Sequence, residues 1–367
     1  MAQTGINPKQ IKSYNDTALL YLLCSQGPLS RKDIAAKLEL TAAAVSKITK
    51  RLIDNGKIRE IGESSKNNDR AGRKEVLLAI NSENKLVLGI TAELDSISFS
   101  ICDVGGKLYN LKTIAFTDDI EAIVEQAKQF TAYNNVRKEN IIGIGLCVVG
   151  AVENNAYSVW DNKRLIFALE EAFRLPVAVE NNVKSYALAE LMYGQIPDEV
   201  VLFFKWGNGI GSAVTTGGRV LSKNTSAMTE IGHYIVDPTG KKCRCGRYGC
   251  LETFASAKAL SEQAGGMRLD QIIKSEDEEI ISVVDHVIDD VALALANTST
   301  ILDARKIVLF GSMFTNDSIA KKVAKQIGRY NVGFDTDNIA VGKFSSKSNY
   351  IAATAVGARE FFYRDEN

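Results

Sequence analysis

The chain has 367 residues, 46% of them apolar, with 44 basic and 44 acidic side chains. That length allows two or three domains and a sizeable core. No basic leader followed by an apolar run opens it, and no run approaches the ~18 apolar residues of a membrane span; this excludes membrane-embedded classes and points to the cytoplasm. Charge is unevenly placed: residues 1–80 hold 14 Lys and Arg against 8 Asp and Glu, and the remainder holds 30 against 36. A basic head on an acidic body suggests that the head meets something anionic.

In the head, DTALLYLLC (16–24) reads as an amphipathic helix stopped by Gly27-Pro28. Ser30 is placed to cap RKDIAAKL (31–38), with Asp33 completing a reciprocal cap, and Thr41 to cap AAAVSKITKRLIDNG, which ends at Gly56. Val45, Ile48, Leu52 and Ile53 follow helical spacing toward a core, leaving Thr41, Ala43, Ser46, Lys47, Lys50 and Arg51 on the opposite face. KIREIGES and KEVLLAIN then read as two strands joined by the polar loop 65–73. Helix, helix, tight turn, helix and a two-stranded wing make a winged helix-turn-helix spanning residues 1–80. Small side chains at the start of the recognition helix let it approach base edges. Lys47, Lys50 and Arg51 would reach phosphates, with Arg31 beside them, and Arg70 and Arg73 would track the backbone or enter the minor groove. The bland alternative is a helical protein-interaction domain with a solvated basic face.

From residue 86 the pattern changes. LVLGITAEL, SISFSICDV and KLYNLKTIAF form a meander with turns at 94–96 and 105–106. A helix (119–133), a buried-type strand (141–150), a helix (164–173), a strand (177–180) and a helix (182–193) follow. A glycine-rich hairpin (200–221), helices over 256–265 and 278–299, strand 306–312 and further helices complete the chain. A meander followed by alternating strand and helix, used twice, predicts an α/β body of two similar lobes.

Of the chain's two histidines and six cysteines, one histidine and three cysteines fall within HYIVDPTGKKCRCGRYGC (233–250). His233, Cys243, Cys245 and Cys250 supply four N/S ligands, with Gly246 and Gly249 permitting a tight reversal. This is the donor set of a closed, structural zinc site. A redox thiol pair is the competing reading, but the usual C-x-x-C beside a βαβ unit is missing. Cys24, Cys102 and Cys147 read as buried small hydrophobes.

CRCGRYGCLE (243–252), EIGH (230–233) and VENN (179–182) make the chain resemble the ROK family (repressors, open reading frames and sugar kinases), specifically its repressor branch, over essentially its whole length. The resemblance implies an actin-like, hexokinase-type pair of lobes with a cleft between them. The first lobe would take residues 81–180 and the C-terminal helix 351–367, and the second 181–350. It also implies that Asn181, Glu230, His233 and Glu252 contact sugar hydroxyls, joined by Gly150 and by Asn182 as a hydrogen-bonding amide.

The family's kinases carry D-x-G-G-T after the first strand, whereas Thr91 stands here for the Asp, and Glu93 and Leu94 for the glycines. The second phosphate loop survives as Gly207–Gly211 but departs at Ser212 and Ala213, and a later Gly-Gly is Phe310-Gly311. The kinases' catalytic Asp is Asn182, and a carboxamide is no general base. The sequence therefore predicts no catalytic residues and no enzyme activity. It predicts a regulator, most simply a repressor, that binds operator DNA as a homodimer or tetramer and answers to a monosaccharide or close derivative. The rivals are a bifunctional kinase–regulator and a DNA-binding regulator controlled by a protein partner.

Overall fold

The computed structural model describes residues 8–63, 75–150, 152, 160–194, 196, 199–221, 230–344, 348 and 350–364. The head comprises helices α1 (Pro8–Gln26), α2 (Arg31–Lys37) and α3 (Ala42–Asp54), with strands β1 (Leu29–Ser30), β2 (Ile58–Glu63) and β3 (Val76–Ile80) in antiparallel order β1-β3-β2. Both anticipated caps form. Ser30 Oγ accepts the Asp33 N–H at 3.2 Å while the Asp33 carboxylate accepts the Ser30 N–H at 3.3 Å, and Thr41 Oγ1 accepts the Ala44 N–H at 3.2 Å. Val45, Ile48 and Leu52 turn inward onto Leu19, Leu20 and Leu23 of α1. Strand β1 was not anticipated, since two residues are too few to display an alternating pattern.

The first lobe is a five-stranded sheet. Strands β4 (Leu86–Ala92), β5 (Ser96–Asp103) and β6 (Leu108–Ala115) form an antiparallel meander. Helix α4 (Ile120–Tyr133) leads to β7 (Ile141–Val148), parallel to β4, and α5 (Asn162–Phe173) leads to β8 (Val177–Asn181), parallel to β7. The order is β6-β5-β4-β7-β8. The second lobe repeats it. Strands β9 (Val201–Trp206), β10 (Ile210–Thr216) and β11 (Arg219–Val220) are the meander, and β12 (Lys306–Phe310) and β13 (Ile339–Val341) the parallel additions, ordered β11-β10-β9-β12-β13. The second lobe also holds the short helices α7 (Glu252–Ala255), α8 (Ala257–Gln263) and α9 (Leu269–Ile272), and the long α10 (Glu278–Leu302) and α11 (Asp317–Tyr330). Asp277 caps α10, so the acidic run at 275–279 opens a helix, as its charge suggests.

Two helices lie between the sheets, α6 (Asn182–Tyr193) and α12 (Tyr350–Ala358). Every residue of α6 except Lys184 is buried, as is every residue of α12 after Tyr350, the pattern of helices enclosed on all sides. Helix α12 lies so close to the first sheet that a Cβ on Gly145 would fall 1.9 Å from the Ala353 carbonyl oxygen. Val183, Tyr186 and Ala187 of α6 pack with Val201, Phe203 and Val308 of the second sheet. The far end of α6, with Leu188, Met192 and Tyr193, shares one core with α1 of the head. Head and body are therefore joined through packed side chains as well as through the chain.

Candidate functional site

The two sheets leave a cleft of about 280 Å³ between the β4–β5 turn, the start of α6, the β9–β10 turn and the loop that precedes α7. All six residues assigned to hydroxyl recognition line it: Gly150, Asn181, Asn182, Glu230, His233 and Glu252. Gly150 adopts φ +92°, a backbone that other residues resist, and its carbonyl accepts the Asn181 side-chain N–H at 2.9 Å. Asn181 is also the N-cap of α6, its Oδ1 accepting the Val183 N–H at 2.9 Å and the Lys184 N–H at 3.3 Å. Its amide is thus partly spent on shaping the cleft floor. The side chain of Asn182 is buried, with its Oδ1 2.9 Å from the same Val183 nitrogen.

Glu252 is the first residue of α7 and is held on both oxygens. Oε2 accepts the Ile210 N–H at 3.0 Å, and Oε1 lies 3.2 Å from Arg244 Nε. Burial raises the Glu230 carboxyl above its ordinary pKa, with Lys184 pulling in the opposite direction. Carboxylates that only accept, amides that do both and a guanidinium that only donates are together suited to a hydroxyl-rich ligand, whose groups both donate and accept.

The ligand atoms of His233, Cys243, Cys245 and Cys250 all lie within 4.8 Å of one another. Cys243 Sγ is 3.5 Å from His233 Nδ1, and Cys245 Sγ is 3.5 Å from Cys250 Sγ. Tetrahedral bonds of zinc length would set such atoms roughly 3.5–3.8 Å apart, so the donor set fits. Burial lowers the His233 pKa, which keeps the imidazole neutral and able to ligate. Cys245 is raised by burial but pulled down further, to about 7, by hydrogen bonds from Arg247 and the neighbouring thiols. Burial, reinforced by the other thiols, pushes Cys250 up to about 12. Crowded thiols that resist joint deprotonation are stabilised as thiolates by a shared cation. Gly249 makes the loop possible: at φ +67°, a Cβ there would lie 1.4 Å from the Asp237 carbonyl oxygen.

Glu93, Asp95, Tyr186, Lys205 and Asn208 line the same cleft. Glu93 pairs with Lys205 and accepts the Tyr186 hydroxyl at 3.2 Å, while Asn208 donates to Asp95 at 3.1 Å. Lys205 and Tyr186 were not singled out from the sequence, since nothing local marks either of them.

In the head, Thr41, Ala43, Ser46, Lys47 and Lys50 are exposed together along α3. Arg51, half-buried, has a partner within the head. It pairs with the buried Asp16 of α1, Nε lying 3.1 Å from Oδ2, and so ties α3 to α1. Arg31 is likewise engaged within the head, Nε donating to Thr49 Oγ1 at 3.1 Å and a terminal nitrogen lying 2.9 Å from Glu60. Arg70 and Arg73 lie outside the described residues.

Residues 87–363 match the model of the ROK family. The chain belongs to that family. Residues 12–59 of this ROK protein match a winged helix-turn-helix DNA-binding model. It is 28% identical over 275 residues to the N-acetylglucosamine repressor of Escherichia coli O157:H7, covering 71% of this chain and 67% of the relative. Among solved structures, a ROK family transcriptional regulator homologous to the E. coli Mlc protein superposes with a TM-score of 0.75 at 24% identity, covering 96% of this chain and 97% of that one. The ROK hexokinase of Thermus thermophilus superposes with a TM-score of 0.63 at 24% identity, covering 75% of this chain and 98% of that one. The winged head is therefore shared with the regulator, while the two-lobed body is common to regulators and kinases. Among the described residues no helix is long and apolar enough to cross a membrane.

Proposed function

We propose that this ROK protein is a sugar-responsive transcriptional repressor: its winged head binds operator DNA, and a monosaccharide or close derivative binds in the cleft and changes the DNA affinity. The observation that carries this reading is the composition of one cavity. Its hydroxyl-handling groups, Asn181, Asn182, Glu230, His233 and Glu252, line it together, while Glu93 and Lys205, which line the same cavity, are paired with each other. Two paired half-sites suit a two-fold protein, so the DNA-bound form is a homodimer.

The chain is not an enzyme on this reading. Asn182 stands where a proton acceptor is required, and Lys205 is committed to Glu93 instead of being free to meet a phosphate. Zinc held by His233, Cys243, Cys245 and Cys250 is structural, because four protein ligands leave no position for substrate. It fixes the loop carrying Arg244 and leading to Glu252, so the metal and the ligand contacts are mechanically one unit.

A sugar shifts the DNA equilibrium only if it binds the DNA-competent and incompetent arrangements unequally. Helix α6 offers the route: Asn181 and Asn182 sit at its start in the cleft, and Leu188, Met192 and Tyr193 pack against α1 of the head at its other end. Calorimetry with D-glucose, D-xylose, N-acetyl-D-glucosamine and their 6-phosphates tests the reading, alongside a coupled assay for ATP consumption. The expected result is saturable binding of at least one sugar, with no ATP turnover. Turnover, or no binding across the panel, would contradict it.

A further inference from the structure

We infer that Glu93 and Lys205 are positioning residues for the cleft: their ion pair tethers one lobe to the other and sets the spacing that a ligand meets. Glu93 follows β4 of the first sheet and Lys205 lies on β9 of the second. The Glu93 carboxylate takes the Lys205 ammonium on one oxygen and the Tyr186 hydroxyl of α6 at 3.2 Å on the other. The same ammonium stands 5.5 Å from the centroid of the Tyr186 ring. One acid, one cation and one phenol, from three elements, therefore close on each other.

The side chains of Lys205 and Glu93 are only 13% and 21% exposed. A pair so withdrawn from water is screened less than a surface bridge and is more costly to break on one side. The two following residues also cross the cleft. Leu94 Cδ1 lies 3.7 Å from where a Cβ of Gly209 would stand, and Asp95 accepts the Asn208 amide at 3.1 Å. Three consecutive residues of the β4–β5 turn thus meet β9 and the turn that follows it.

With the lobes fastened through these contacts, the width of the cleft that Glu230, His233 and Glu252 also line is set in advance; Glu252 stands close to the tether, its Oε2 3.3 Å from where a Cβ of Gly209 would be. The tether holds the cleft near its ligand-binding spacing before the ligand arrives, so less ordering remains to be done on binding. The tether itself is a property of the ligand-free chain; its effect on affinity rests on the monosaccharide reading above.

The experiment uses the full-length chain as wild type, Glu93→Gln, Lys205→Met and the charge-exchanged double variant Glu93→Lys with Lys205→Glu. Amide hydrogen exchange without ligand is followed in peptides covering 93–96 and 205–211. Each single variant is expected to exchange about ten-fold faster there, with the charge-exchanged pair returning most of the way to wild type. Wild-type exchange in both single variants, or no recovery in the exchanged pair, would overturn the tether.

The same proteins are titrated with whichever monosaccharide of the panel binds wild type, expecting about five-fold weaker binding in each single variant and recovery in the pair. Unchanged affinity in both single variants would overturn the positioning role while leaving sugar binding intact. Failure of wild type to bind any sugar would overturn the monosaccharide reading instead, and the ligand-free exchange result would still decide the tether.

Discussion

Arg51 and its neighbours Lys47 and Lys50 separate two jobs that look alike in a basic helix. Lys47 and Lys50 are exposed, whereas the guanidinium of Arg51 is spent on buried Asp16. Truncating Arg51 leaves a desolvated carboxylate without its cation. Arg51→Ala should therefore destabilise the head by about 2 kcal/mol, read as a lower denaturation midpoint. Reversing Lys47 and Lys50 to Glu should leave the midpoint nearly unchanged and remove DNA binding in an anisotropy titration.

Helical spacing drawn from the sequence put all three on one face; it cannot announce an acid 35 positions away that claims one of them. Glu190 was equally hidden. It is buried on α6 and accepts the Phe344 N–H at 3.0 Å, and burial raises its pKa despite that hydrogen bond. A raised carboxyl contributes stability that is full below the ordinary glutamate range and is lost as pH rises through the raised value. Glu190→Gln cannot ionise, so its melting temperature relative to wild type should climb between pH 4.5 and pH 8. A constant offset across that range would show that the carboxyl does not titrate as described.

Among the elements, those with chemical punctuation were legible. Ser30 and Thr41 announce the starts of α2 and α3, and the C-x-C-G-x-x-G-C spacing announces the loop that gathers His233 with three cysteines. Strands β1 and β13, of two and three residues, and helices α7 and α9, of four each, carry too few residues to display a period, and tertiary packing alone creates them. The metal loop yields a prediction at this scale. Gly249→Ala forces a Cβ onto the Asp237 carbonyl at a backbone angle that alanine resists. The purified variant should carry less than half of the wild-type zinc by elemental analysis, and its sugar affinity should fall with it, because Arg244 and Glu252 ride on that loop. Full zinc content with lost sugar binding would separate the two functions that the account joins.

At the scale of the molecule, one strand order is used twice, and two fully enclosed helices, α6 and α12, fill the space between the sheets. The repetition was readable because both halves spell meander, then strand and helix in alternation. The contacts across the cleft were not, since Glu93 and Lys205 are 112 residues apart and nothing local marks them as partners. What the sequence revealed there was only a loss, glycines replaced by Glu93 and Leu94; the structure adds what the replacements do. The shared core of α6 and α1 likewise emerges only when distant helices pack.

On the proposed reading, a cleft without phosphotransfer groups still binds a carbohydrate and passes that event to the head. The most direct test of that reading is the affinity of the full-length chain for a duplex enriched from a random pool, measured with and without each sugar of the panel and with ATP–Mg²⁺ alone. At least one sugar should change the affinity about ten-fold or more, ATP–Mg²⁺ should not, and Glu252→Gln should abolish the sugar effect while still binding the duplex. DNA affinity indifferent to every sugar would contradict the reading.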